Sequence, residues 1–273
     1  MKVKVTGDRA VQAELQLSAG GPATQAVSQE PSGAIWRGIP PIGGCQMTHY
    51  PSMQTTLRDR TAAGQSLVEP LLKYRRRPDV IVLALPRGGV PVAYEIATAL
   101  EVRLDLMLVR KLGVPFHEEY AMGAIASGSI RIINEDVVRT NHIDQRTIES
   151  VVARETTELL RRERVYRGAR PALDLHGQVV ILVDDGLATG ASMRAAIQAV
   201  LLQKPSRIVV AVPVASFDTA EVLRGEVDEV VCPMEPEWLV SIGNWYMDFS
   251  QTSDEDVINL LQQAWSRESK SAH

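Results

Sequence analysis

Val179-Val180-Ile181-Leu182-Val183-Asp184-Asp185-Gly186-Leu187-Ala188-Thr189-Gly190-Ala191-Ser192 passes from an apolar run through two acids into a turn bounded by glycines. A run of five apolar, mostly β-branched residues suits a strand buried on both faces of a parallel sheet. Two adjacent carboxylates at the end of such a strand are costly unless hydroxyls, cations or backbone amides satisfy them. Gly186 and Gly190 allow tight curvature, Thr189 and Ser192 supply hydroxyls, and the helical pattern that follows places backbone N–H groups at a helix N-terminus, where phosphate binds readily. One end of the turn therefore suits a polyol or a cation and the other a phosphate. A ribose 5-phosphate satisfies both. The plain alternative is a strand-to-helix turn whose acids cap the helix. The turn lacks the Gly-Lys-Ser/Thr ending of a Walker A loop.

Outward from this stretch, strands and helices alternate. Upstream, residues 57–74 have the spacing of an amphipathic helix, and Val80-Ile81-Val82-Leu83-Ala84-Leu85 forms a second apolar run, ended by Pro86 and Gly88-Gly89. A helix is expected near 90–100, a strand near 104–109, a looser stretch over 110–128, a strand near 129–133 and a long charged helix over 145–168. Downstream come a helix at 191–203, a strand at 207–213, a helix near 217–224, a strand at 227–232, an aromatic segment at 238–249 and a helix near 254–266 with Ser253 as its N-cap. Such alternation implies an α/β parallel sheet, whose ligands sit at the carboxyl ends of its strands.

Composition narrows the classes. The chain has 273 residues, is 45% hydrophobic and 23% charged, and carries a net charge of −4. That balance disfavours a nucleic-acid partner, which needs a basic surface. Cys45 and Cys232 are too few for a disulfide framework and too isolated for a metal cluster, which fits a reducing cytoplasm. No apolar run approaches the roughly 18 residues of a membrane span, so no membrane partner is expected. Residues 1–53, rich in Gly, Ser, Pro, Gln and Ala, are expected to be a low-order N-terminal extension.

The apolar strand, the Asp-Asp-x-x-x-Thr-Gly turn and the helix together resemble the phosphoribosyl pyrophosphate (PRPP) signature of the type I phosphoribosyltransferases. The resemblance covers roughly residues 57–266. It implies a mostly parallel five-stranded sheet flanked by helices, in a domain over 54–273 with a small C-terminal hood at 233–249. It implies transfer of the 5-phosphoribosyl group from PRPP to a nitrogenous base, a purine or a relative, with release of pyrophosphate and with Mg²⁺ as cofactor. Position by position, Asp184 and Asp185 would meet the ribose hydroxyls and the metal, directly or indirectly, while Gly186, Leu187, Ala188, Thr189 and Gly190 would wrap the 5-phosphate. Ala188 stands where hypoxanthine-guanine enzymes carry an acid that serves the purine ring, which weakens that assignment.

Three further segments resemble parts of the same site. Pro86-Arg87-Gly88-Gly89-Val90-Pro91 is similar to the pyrophosphate loop, with Arg87, Gly88 and Gly89 on the anion and a strained or cis peptide near Arg87 implied. Arg110-Lys111 resembles a basic pair aimed at pyrophosphate. The stretch after it resembles a closing catalytic loop in which Glu119 would stabilise charge or move a proton; a solvated acidic turn is the alternative. In the hood, Trp238 or Trp245 would stack on the base and Asp248 would lie near pyrophosphate and metal; the plain alternative is an aromatic core cluster under the final helix, and for Trp245 that is the better reading. Arg87, Lys111 and Glu119 are thus the catalytic candidates, and Trp238 and Asp248 the base-binding ones. The strand Val209-Val210-Ala211-Val212-Pro213 lacks the lysine that reads a 6-oxo group. Helix 145–168 reads as a solvated helix with an inward apolar stripe and offers a surface for a homodimer. The rival to a transferase is a non-catalytic regulator that senses PRPP or a nucleotide in the same pocket.

Overall fold

The computed structural model describes residues 3–6, 56–115, 117–171 and 173–271, with backbone alone for 3–6, 118, 119, 270 and 271. Strand β1 (Val3–Thr6) is followed, after the gap, by helices α1 (Arg60–Ser66) and α2 (Val68–Leu71), strand β2 (Val80–Ala84), α3 (Gly89–Leu100) and β3 (Arg103–Leu106). Then come β4 (Val109–Val114), β5 (His117–Ala126), β6 (Ile130–Asn134), α4 (Glu135–Thr140) and α5 (Gln145–Arg167). The remainder is β7 (Val179–Val183), α6 (Ala191–Leu201), β8 (Arg207–Ala211), α7 (Phe217–Arg224), β9 (Glu229–Val231) and α8 (Asp254–Ser271).

The central sheet has five strands in the order β3-β2-β7-β8-β9, and every pairing in it is parallel. All five residues of β2 and of β7 are buried, as two-sided coverage requires. Alternate residues feed different cores. Val80, Val82, Val179, Ile181 and Val183 pack with α3 and α8 residues such as Ile96 and Leu261. Ile81, Leu83, Val180 and Leu182 pack with Met193 and Ile197 of α6. Each such aliphatic side chain withdrawn from water contributes about 1.5–3 kcal/mol, so the middle of the sheet is the rigid platform from which the loops at its carboxyl edge project.

A second, antiparallel sheet in the order β1-β6-β5-β4 accompanies the first. It corrects the expected looser stretch over 110–128, which is a β-hairpin of β4 and β5. The period-two pattern was hidden there. Only Leu112 and Val114 of β4 are buried, beside charged Arg110 and Lys111, and the register shifts on both sides of Gly113. The strand expected over 104–109 likewise divides, β3 ending at Leu106 in the central sheet and β4 starting at Val109 in the other. A strand at Val3–Thr6, paired with β6, and helix α4 were not expected. The rest of the 1–53 segment lies outside the described residues.

Candidate functional site

Three loops meet at the carboxyl edge of β2 and β7. The loop after β2 approaches the acid pair so closely that a Cβ on Gly88 would lie 2.0 Å from Asp185 Oδ2, and one on Gly89 would lie 2.7 Å from the Val183 carbonyl oxygen. Glycine at 88 is thus a packing requirement of the two loops taken together. The Pro86-Arg87 peptide is cis, in line with the feature implied beside Arg87.

The turn after β7 is latched from behind. Leu187 donates its amide to Val214 O at 2.9 Å and accepts from Ser216 N at 3.2 Å. Thr219 Oγ1 donates to Ala188 O at 2.8 Å, and Ser216 Oγ donates to Thr219 Oγ1 at 2.7 Å. Gly190 opens α6 in the left-handed region at φ 65°, a conformation natural to glycine. The carbonyl side of the turn is therefore occupied, whereas the amides of Ala188, Thr189 and Gly190 donate to no acceptor among the described residues. Three successive amides ahead of a helix N-terminus form an anion cradle.

The two acids have different surroundings. Asp184 accepts the Asp185 amide at 2.9 Å and lines a cavity of about 90 Å³ with Pro86, Arg110 and Ser192. Burial, and then the neighbouring Asp185 carboxylate, raise its pKa well above the usual range. Asp185 instead takes Arg60 Nε on Oδ2 at 2.8 Å, with the two side chains only 12% and 15% exposed. The same guanidinium donates to Ser250 O at 2.6 Å and lies 4.1 Å from the Phe249 ring centre. Tyr246 donates its hydroxyl to Asp185 O at 2.7 Å; burial, and secondarily Asp185, push its pKa upward. Arg60 thus ties the second acid of the turn after β7 to the aromatic segment. It was absent from the sequence reading, since its partner is 125 positions away and the only local signal was its place after the N-cap Asp59.

The other candidates are placed as follows. Arg87 reaches Asp254 of α8 at 3.5 Å, and Tyr166 donates to the same Asp254 oxygen at 2.7 Å. Lys111 lines a cavity of about 180 Å³ with Asn134, Ala191 and Ser192. Val109 and Ser192 border both this cavity and that of Asp184, so Lys111 flanks the turn after β7. Arg110 is engaged by the buried Glu155 at 2.5 Å and 2.9 Å. The side chain of Glu119 lies outside the described residues. Trp238 is 86% exposed, while Trp245 is buried in the core. Asp248 accepts the Ser250 amide at 2.9 Å, which lowers its pKa, and it borders an open cavity of about 430 Å³ with Asp59, Arg60 and Pro91. Among the described residues, no group of three or more His, Cys, Asp or Glu forms a metal cage, and no helix is long and apolar enough to cross a membrane.

Residues 58–249 match the model of the phosphoribosyl transferase domain family. Relatives from two strains of Mycobacterium tuberculosis, provisionally named phosphoribosyl transferases, are 42% identical over 206 residues. The match covers 76% of this chain and 46% of theirs, so the chain spans about half the length of the curated relatives. The crystal structure of TT1426 from Thermus thermophilus is similar with a TM-score of 0.68 and 41% identity, over 76% of this chain and 98% of that one.

Proposed function

The chain belongs to the phosphoribosyltransferase family, and on that premise we propose that it transfers the 5-phosphoribosyl group of PRPP to a nitrogen of a base, a purine or a relative, and releases pyrophosphate. One observation carries the reading: the acceptor-free amides of Ala188, Thr189 and Gly190 stand directly beyond Asp184, within one wall that also holds Gly88 and Gly89. That spacing suits a phosphate and a sugar on the same small molecule. In this reading Gly186 through Gly190 hold the 5-phosphate, Asp184 accepts from ribose hydroxyls, and Asp185 serves largely as the fixed partner of Arg60.

Charge forms on the leaving pyrophosphate as the ribosyl C1–O bond breaks, and fixed positive groups near it lower the barrier. Arg87 would exchange Asp254 for a phosphate oxygen, and Lys111 would approach from the hairpin. Glu119 is the candidate for handling the acceptor's proton. Trp238, exposed and planar, is the stacking candidate for the base, and Asp248 lies behind Arg60 at the edge of the aromatic segment.

Mg²⁺ fits this donor set as a substrate-borne ion. Of the four carboxylate oxygens of the Asp184–Asp185 pair, Asp185 Oδ2 is taken by Arg60 and Asp184 Oδ1 by the Asp185 amide, and the two that remain match the sparse protein ligation typical of Mg²⁺ shared with phosphates. When bound, the ion would neutralise pyrophosphate charge.

The test is pyrophosphate release from PRPP with Mg²⁺ across a panel of purines, pyrimidines and amines. Turnover that depends on one acceptor, and a fall in kcat of about 10²–10³ in Lys111→Ala, support the reading. Tight PRPP binding without turnover on any acceptor would instead establish a sensor, and release without any acceptor a hydrolase.

A further inference from the structure

A cavity of about 630 Å³ lies away from the phosphate turn, between α5, the Ser127–Ser129 turn that joins β5 to β6, and the segment leading into β7. Its volume lies within the range of small-molecule sites. Nothing in the proposed transfer uses it. Its floor is apolar, formed by side chains such as Met107, Leu159 and Leu175. Its wall carries four arginines (131, 164, 167 and 170) against one acid, Glu163.

Those four arginines are not equivalent. Arg131 is held by Glu149 at 3.0 Å and Arg167 by buried Asp105 at 2.8 Å, so both charges are compensated behind the wall. Arg170 lies 4.1 Å from the Trp265 ring centre and 3.5 Å from Glu268, a loose pair. Arg164 forms no ion pair among the described residues. Basic residues in the last turn of α5 also complement the helix dipole, which explains a charged helix end but not a concave apolar floor beside it. Ser127 borders the same cavity, and its buried Oγ has no hydrogen-bond partner among the described residues. An exposed guanidinium with no acid on it, an unused hydroxyl and an apolar floor together suit one occupant: an anionic head on a flat or apolar body.

We propose that this cavity is an effector site for a small organic phosphate of the nucleotide class, with Arg164 and Arg170 on the phosphate and the Met107–Leu159 floor under the base. Guanidinium–phosphate pairs are charge-assisted and directional, and the floor supplies the apolar contact that inorganic phosphate lacks. Met107 and Leu159 also line the cavity that contains Asp184. An occupant pressing on those two side chains is therefore one layer from the donor site, and coupling between the two sites would be reciprocal.

The test is isothermal titration of adenosine, guanosine and uridine 5′-monophosphates, with inorganic phosphate as head-group control. An Asp184→Ala background weakens binding at the donor site, and because Arg164 lies outside that site, affinity lost on adding a substitution there belongs to this cavity whether or not the transfer reading holds. At least one nucleotide is expected to bind there, more tightly than phosphate, and to lose at least tenfold in affinity on adding Arg164→Glu. Thr156→Trp, which fills the cavity from α5, should weaken it similarly. The proposal is overturned if no nucleotide binds in that background, or if both added substitutions leave the affinity unchanged. It is equally overturned if either substitution alters the sedimentation coefficient, since the cavity would then be a contact between copies of the chain.

Discussion

Arg60 and Asp185 stand 2.8 Å apart with little water around either. Removing one partner of such a pair leaves an uncompensated charge, so Arg60→Met should cost about 3 kcal/mol in denaturant unfolding; a loss under about 0.5 kcal/mol would mean the pair is effectively solvated. Asp184 gives a prediction of different sign. Its folded pKa is raised, by burial first and then by Asp185, so the protonated form favours the fold. That contribution is complete below the unfolded value of about 3.9 and is lost as pH rises through the folded value. Asp184→Asn should therefore gain stability over the wild type as pH increases from about 4, and urea midpoints measured across that range should diverge. A constant gap would refute it. The placement of Asp184, Asp185 and the Thr-Gly end of the turn between a buried strand and a helix was legible because its signal lies in consecutive residues. Arg60, Tyr246 and Phe249 were not, because each acquires its role only through a partner distant in the chain.

At the scale of elements, α8 begins with reciprocal bonds: the Asp256 amide donates to Ser253 Oγ at 3.1 Å, and the Ser253 amide donates to Asp256 Oδ2 at 2.9 Å. The expected N-cap at Ser253 is thus present. Ser253→Ala should lower stability by about 1 kcal/mol, read from the denaturation midpoint, and an unchanged midpoint would show that the cap is redundant. The loops after β2 and β7 are predicted to act as one unit. Gly88→Ala would drive a methyl into the Asp185 carboxylate, which Arg60 prevents from turning aside. At least a tenfold loss of PRPP affinity should follow, measurable by calorimetry, and near-normal affinity would separate the two loops. Strand β7 and helix α7 were readable to the residue because apolar runs and helical spacing are strong local signals. The β4–β5 hairpin was not, since one face carries charge and the shift at Gly113 breaks its alternation.

For the molecule as a whole, the parallel sheet and its flanking helices follow from the alternation of apolar runs with amphipathic segments. The antiparallel sheet escaped notice because its strands pair at the edge of the core, where polar residues are tolerated. The two sheets together bring Lys111, already singled out by the Arg110-Lys111 pair, beside the turn that Asp184 opens; it is the docking of the antiparallel sheet there that has no local sequence signal. Calorimetric titration of Mg²⁺–PRPP into the wild type, Asp184→Ala and Thr189→Ala tests this arrangement most directly. The account predicts saturable binding to the wild type and at least a hundredfold weaker binding in both variants, with each still folded. Wild-type protein that fails to bind, or variants that bind as the wild type does, would contradict it.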